Sequence, residues 1–274
     1  MNDTIVLGEL RVNRLGFGAM RVCGPSIWGP PKDRRRAHEV LRRAIELGVN
    51  FFDTADSYGP YVDEELIAEA LHPYPKDLVI ATKGGIVRPS AARWDEDARP
   101  EHLKRAIDGS LRRLKLERID LYQLHAPDPR VPFMDSVGAL ADAQRAGKIR
   151  YIGLSNVDVT RLEQARTLVN VVSVQNEYNL GNRESEPVLE RCEKLGIAFL
   201  PWYPLGAGAV LRSARVKDMA KKLQATPAQV AIAWLLARSP VMLPIPGTAA
   251  IKHLEENMRA AELRLAAEDV RALS

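Results

Sequence analysis

Cysteine is scarce: Cys23 and Cys192 are the only two among 274 residues, far apart and outside any CxxC spacing. That scarcity excludes a disulfide framework and a thiolate metal site, and it suits a reducing cytoplasm. Long apolar runs are missing too. No stretch approaches the ~20 residues that cross a bilayer, and the opening MNDTIVLGELRV starts with an acidic, polar tripeptide where a secretory leader would be basic and then apolar. A soluble, unexported chain without membrane contact is expected. Neither sign of charge dominates. The 39 Lys and Arg residues against 35 Asp and Glu leave a formal +4, spread over segments such as DRRRAHEVLRR and SLRRLKLER. Charges spaced this way decorate solvated helix faces, so no nucleic-acid partner is expected.

What is present is a globular composition, 46% hydrophobic and 27% charged, enough for a sizeable core. Strand-length apolar runs alternate with longer amphipathic segments throughout: RLGFG, VNFFDT, LVIATK, IDLYQLH, IRYIGLS, VVSVQNE, IAFLPWY and VMLPIPG. Near-continuous apolar strands suit a parallel sheet covered on both faces. Between them, Asp33 can cap a helix carrying Ala37, Val40, Leu41, Ala44 and Ile45 at helical spacing. Pro100 opens another, and Thr226, Pro227 and Gln229 spell a capping box with a first-turn proline. Eight such units in about 250 residues predict a single α/β domain over 1–274, a (β/α)8 TIM barrel. TIVLGELRVNRL ahead of it predicts a β-hairpin, turning at Gly8 and Glu9, that closes the barrel bottom.

In a parallel barrel all strand ends meet at one mouth, and there the chain places complementary polar groups. Asp53 closes NFFDT, Tyr58 follows in ADSYG, Lys83 closes LVIATK and His125 closes DLYQLH. Each has a plainer role when taken singly: an ion pair for Asp53 and Lys83, a packed loop aromatic for Tyr58, a satisfied core imidazole for His125. Their coincidence at one barrel end points to a proton-handling site, with a phenol as acid and a cation beside it. No metal-ligand spacing accompanies them. A dinucleotide fingerprint is also lacking, since Gly16-Phe17-Gly18 and Gly206-Ala207-Gly208 have no third glycine and open no first βαβ unit. Barrels bind phosphate after strands seven and eight instead, where this chain has PLGAG and IPGTAAIKHLEEN.

The segments DTADSYG, ATKGG, DLYQLHAPD, GLSN, SVQNEYN, PWYPLGAG and IPGTAAIKHLEEN resemble those of the aldo-keto reductase superfamily over essentially the whole chain. The resemblance implies a catalytic tetrad of Asp53, Tyr58, Lys83 and His125. Tyr58 would be the general acid, Lys83 would lower its pKa, Asp53 would pair with the lysine, and His125 would orient a carbonyl. It further implies NADPH as cofactor, with NADH as an alternative, and direct hydride transfer to a small-molecule aldehyde or ketone.

By the same resemblance, Ser155, Asn156 and Gln175 would hold the nicotinamide carboxamide and Tyr203 would stack on its ring. Gly18, Ala19, Met20 and Pro204 would adjoin the cofactor, and Leu205, Gly206 and Gly208 would border the pyrophosphate. Ile245, Gly247, Thr248, His253, Glu256 and Asn257 would surround the adenosine half. Relatives selective for NADPH carry a lysine and an arginine where this chain has Gly247 and His253. Trp28 and Trp94, in the two long mouth loops, are expected to line the substrate pocket, joined by Met20, Tyr61 and Trp202. The chain ends at Ser274 soon after its last helical segments, so an open pocket is expected. Two other functions compete: a nicotinamide-binding sensor subunit with little turnover, and an aldolase using Lys83 as a Schiff base.

Overall fold

An antiparallel hairpin, β1 (Thr4–Leu7) and β2 (Leu10–Asn13), precedes the barrel in a computed structural model that describes residues 3–274. Met1 and Asn2, which head the acidic N-terminal tripeptide, lie outside the described residues. Strict alternation builds the hairpin, with Ile5, Leu7, Leu10 and Val12 inward and Val6 outward. The inward set packs on Phe51, Val79, Leu121, Val172 and Ala198, at the starts of the barrel strands. The hairpin therefore plugs the N-terminal end, and the strand C-termini are left open.

The barrel strands follow in chain order: β3 (Phe17–Gly18), β4 (Phe51–Asp53), β5 (Val79–Gly84), then, after a rim hairpin of β6 (Ile86–Ser90) and β7 (Arg93–Glu96), β8 (Ile119–Leu124), β9 (Ile149–Ser155), β10 (Val171–Glu177) and β11 (Ala198–Trp202). The seven are parallel, and neighbours in sequence are neighbours in the sheet. The eighth predicted strand, VMLPIPG, runs extended but forms no ladder. Its contacts are Phe199 N donating to Val241 O and Leu243 N to Phe199 O, both at 2.8 Å, and Gly16 N to Pro244 O at 3.0 Å. Pro244 and Pro246 have no N–H to donate, which is why closure is limited to these bonds. Closure is also close. A Cβ on Gly247 would lie 2.2 Å from Gly18 O, so only glycine fits there.

Ten helices among the described residues complete the fold: α1 (Arg34–Glu46), α2 (Val62–Leu71), α3 (Pro100–Leu114), α4 (Phe133–Arg145), α5 (Val159–Arg166), α6 (Glu186–Leu195), α7 (Ala214–Lys222), α8 (Pro227–Arg238), α9 (Ile251–Arg259) and α10 (Ala267–Leu273). Their starts follow the sequence signals. Asp33 accepts from Arg36 N at 2.9 Å, Pro100 is the first residue of α3, and Thr226 and Gln229 form the reciprocal capping box. Apolar helix faces bury against the outside of the sheet, as where Trp234 of α8 stacks on Tyr178 at 5.9 Å. Each fully buried leucine in these layers contributes about 1.5–3 kcal/mol. Among the described residues, no helix is long and apolar enough to cross a membrane.

Candidate active site

Four elements bring the expected residues together at the open end. Asp53 ends β4, Lys83 lies one residue from the end of β5, and His125 is the first residue past β8. Tyr58 sits in the turn that leads into α2, held by Tyr58 N donating to Ala55 O and Tyr61 N to Asp56 O. Lys83 Nζ is wholly buried and aims all three donors inward: to Asp53 Oδ2 at 2.7 Å, Thr54 O at 2.8 Å and Tyr58 Oη at 3.4 Å. The second oxygen of Asp53 accepts from Gln175 Nε2 at 2.8 Å and Gln123 Nε2 at 3.1 Å. Fully partnered on both sides, this buried pair is held in one geometry. His125 stands edge-on to Tyr58, with centroids 5.8 Å apart, and its Nδ1 faces Ser57 Oγ at 3.4 Å.

Electrostatics set the protonation states. Burial, then the Lys83 cation, hold His125 well below its ordinary value, so the imidazole is neutral. Burial, followed by the carboxylates of Asp53 and Asp63, pushes the Tyr58 phenol well above its usual range. Burial sets the net direction, so Tyr58 keeps its proton at neutral pH; the Lys83 cation beside the hydroxyl acts in the opposite sense.

Behind the four lies a buried acidic shell that the sequence reading did not pick out. Thr54 Oγ1 donates to Asp63 Oδ2 at 2.7 Å, while Asp63 Oδ1 has no hydrogen-bond partner. Thr82 Oγ1 donates to Glu64 at 2.6 Å, and Arg113 pairs with the same carboxylate at 2.7 Å. Burial raises Asp63 to about 7 and Asp56 well above a carboxylate's range. The signal was available: Asp63 shares a helix face with Leu66 and Ile67, three and four residues on, so its side chain must point inward.

The mouth opens into a cavity of about 690 Å³ lined by Tyr58, His125, Trp94, Trp202, Ile27 and Ile86 among others. That volume is within the ~300–1,000 Å³ range of small-molecule and cofactor sites. One wall is the rim hairpin. Its Arg88, also missed in the sequence, is buried and donates to Ile27 O at 3.0 Å, Ser26 O at 3.3 Å, Ala91 O at 2.6 Å and Arg93 O at 3.2 Å. The guanidinium also lies 3.6 Å from the Trp94 ring centroid and 5.4 Å from that of Trp28. Arg88 thus ties the two long loops together and sets Trp94 edge-on to Tyr58 at 6.4 Å. Trp28 itself does not line the cavity, against expectation. It supports the wall through Arg88 and a bridge to Gly59. Tyr61 turns away as well and stacks on Arg113 at 4.4 Å.

The Aldo/keto reductase family profile matches residues 14–274. The chain belongs to that family. It is 50% identical over 266 residues to an uncharacterized oxidoreductase of Schizosaccharomyces pombe, covering 97% of this chain and 87% of the relative. With the pyridoxine 4-dehydrogenase of Escherichia coli it shares 45% identity over 273 residues, 97% of this chain and 96% of the relative. A solved aldo-keto reductase from Klebsiella pneumoniae in complex with NADPH superposes with a TM-score of 0.85 at 26% identity, covering 100% of this chain and 94% of the other. The protein is therefore an oxidoreductase on the (β/α)8 barrel of these enzymes.

In this aldo-keto reductase the expected cofactor residues divide. Gly18, Met20, Ser155, Asn156, Gln175, Tyr203, Pro204, Leu205, Gly208, Ile245 and Gly247 line the mouth cavity. Ala19 is buried in the core beneath it, and Gly206 lines a neighbouring cavity. Thr248, His253, Glu256 and Asn257 lie beyond its edge, with His253 exposed on α9. Two of these side chains are already partly engaged. Asn156 Nδ2 donates to His125 O at 2.9 Å and its Oδ1 accepts from Trp202 Nε1 at 3.1 Å, while Gln175 Nε2 is held by Asp53.

Proposed function

We propose that this enzyme reduces aldehydes or ketones to alcohols with NADPH, Tyr58 delivering the proton to the carbonyl oxygen. The carrying observation is the Tyr58 hydroxyl, 3.4 Å from Lys83 Nζ and lining the same cavity as neutral His125. The residues fit a dinucleotide: Gly18, Ser155, Asn156, Gln175, Tyr203 and Gly247 all line the mouth cavity, polar groups and small residues beside an aromatic ring. The Klebsiella relative was solved with NADPH, which supports the choice of cofactor. When bound, the nicotinamide supplies the hydride.

The protein's part is proton management. His125, with Nδ1 turned to Ser57, offers Nε2 to the carbonyl oxygen and places it beside the Tyr58 hydroxyl. As Tyr58 gives up its proton, the developing phenolate comes to lie against the Lys83 cation, and that attraction exists only in the reacting state. Asp53 holds Lys83 in place and Trp94 and Trp202 shield the site from water. Lys83 does not line the cavity, which disfavours a Schiff-base reading. The aromatic walls and the E. coli relative make pyridoxal the first carbonyl to assay, within a panel of aromatic and aliphatic aldehydes.

Tyr58→Phe tests the mechanism. NADPH affinity measured by fluorescence is expected to stay within about twofold, and reduction to fall by about 10²–10⁴. Near-normal turnover in that variant would defeat the proposal.

A further inference from the structure

Tyr58 rides on the loop between β4 and α2, and Asp63 is the second residue of that helix. The Asp63 carboxyl reaches back across the loop. Its Oδ2 accepts from Thr54 Oγ1 at 2.7 Å, and Thr54 is the first residue after β4. One bond therefore closes the neck of the loop that carries the proton donor. Asp63 N also donates to Tyr58 O at 3.2 Å, while Lys83 Nζ donates to Thr54 O at 2.8 Å and to Tyr58 Oη at 3.4 Å. Thr54, Asp63, Tyr58 and Lys83 thus form a closed ring of hydrogen bonds, and all four are buried. The span from phenol to ammonium is one side of that ring, so the other sides constrain it.

The neighbouring carboxyl shows the contrast. Glu64 is paired with Arg113 and accepts from Thr82, and it bonds to none of the four reactive residues. Asp63 makes no ion pair among the described residues, and its Oδ1 has no partner. A carboxyl left half unpartnered in the interior costs free energy, and its one strong bond lies at the loop neck. We propose that Asp63 is a positioning residue for the reduction: by tying the Thr54 hydroxyl to the Tyr58 main chain, it fixes the distance between the Tyr58 hydroxyl and Lys83 Nζ at which the proton leaves. Asp63 does not line the mouth cavity, so it acts only through those two partners. The loop tip has anchors of its own, Asp56 N to Lys83 O and Gly59 N to Ile27 O, both at 3.2 Å, so the fold survives an opened neck. A neutral oxygen accepts from Thr54 as a charged one does, so asparagine serves where alanine does not. The inference rests on the reductase reading above.

Single-turnover oxidation of NADPH by pyridoxal and by 4-nitrobenzaldehyde, with steady-state kcat and KM, tests it in Asp63→Ala, Thr54→Val, the double variant and Asp63→Asn. Glu64→Gln is the control from the same buried shell. Assays at pH 6, below the value of about 7 to which burial raises this carboxyl, keep its charge out of the comparison. Asp63→Ala and Thr54→Val are each expected to slow the single-turnover rate and kcat about tenfold, with KM and NADPH affinity within about twofold. The double variant should be no slower than the slower single one, because both remove the same bond. Asp63→Asn and Glu64→Gln should each keep at least about half the rate. A normal rate in Asp63→Ala would overturn the proposal. So would multiplying losses in the double variant, or an equal loss in Asp63→Asn or Glu64→Gln, each of which would assign the effect to general loosening of the core. If Asp63→Ala does not fold, Thr54→Val and Asp63→Asn decide: a slow first and a fast second support the role, and any other pair of results defeats it. Failure of the unaltered protein to reduce any aldehyde would remove the reductase reading together with this one, whereas an active enzyme indifferent to these substitutions would remove only the role of Asp63.

Discussion

Asp63 offers a measurement of how strongly burial opposes charge behind the reactive residues. Its carboxyl rises from the ordinary 3.8 to about 7, mainly through burial, while the Thr54 bond opposes the rise. Because the folded value lies above the unfolded one, the native protein holds a proton that the unfolded chain releases. The associated stability is complete below about pH 4 and is lost as pH rises through about 7. A displacement of about three pH units corresponds to about 4 kcal/mol, of which about 2.5 falls between pH 5 and pH 8. The first turn of α2 favours a carboxylate by only about 0.3–1 kcal/mol, so burial prevails. Asp63→Asn keeps an oxygen for Thr54 and removes the titration. In urea unfolding, the stability of the variant relative to the unaltered protein is expected to grow by about 2–3 kcal/mol from pH 5 to pH 8. Parallel curves over that range would refute the reasoning.

Arg88→Met should raise KM for bulky aldehydes about tenfold while kcat changes less than about threefold, because Trp94 loses its support; Arg88→Lys should not rescue it, lacking the planar fork. Steady-state kinetics at saturating NADPH decide this. Lys83→Met leaves Asp53 buried without its cation and is expected to cost about 3–5 kcal/mol in chemical unfolding. Adding Asp53→Asn should restore much of that stability but none of the turnover. Gly247→Ala forces a Cβ onto Gly18 O and should cost at least about 1–3 kcal/mol, read as a lower thermal midpoint.

Seven strands and the main helix starts were legible because their signals are local: apolar runs of strand length, Asp33 and Thr226 as caps, Pro100 as a first-turn proline. The eighth strand was legible as an extended run but not as an unladdered one, since what decides it is how Pro244 and Pro246 meet two neighbours at once. The rim hairpin escaped because Pro89 and the small residues after it read as loop, and its pairing shows only once Arg88 is seen holding both sides. Asp53, Tyr58, Lys83 and His125 stood out because parallel strands deliver their ends to one place. The net direction of the Tyr58 shift did not, for it depends on how deeply the hydroxyl is buried and on the carboxylates of Asp53 and Asp63 around it. Trp28 illustrates the same limit: its loop was read correctly, while the way its ring faces is set by Arg88.

The four bonds of Arg88 all end on main-chain oxygens, and this bears on how the enzyme can diversify. Apart from its stacking on Trp28 and Trp94, the clamp reads backbone, and its hydrogen bonds do not depend on side-chain identity at Ser26, Ile27, Ala91 and Arg93. Ala91 and Arg93 can be randomised in a library, or drift among descendants, without unfastening the loops, whereas Ser26 and Ile27 are also bound by their left-handed backbone. Carbonyl preference can therefore be rewritten on a frame that keeps its shape.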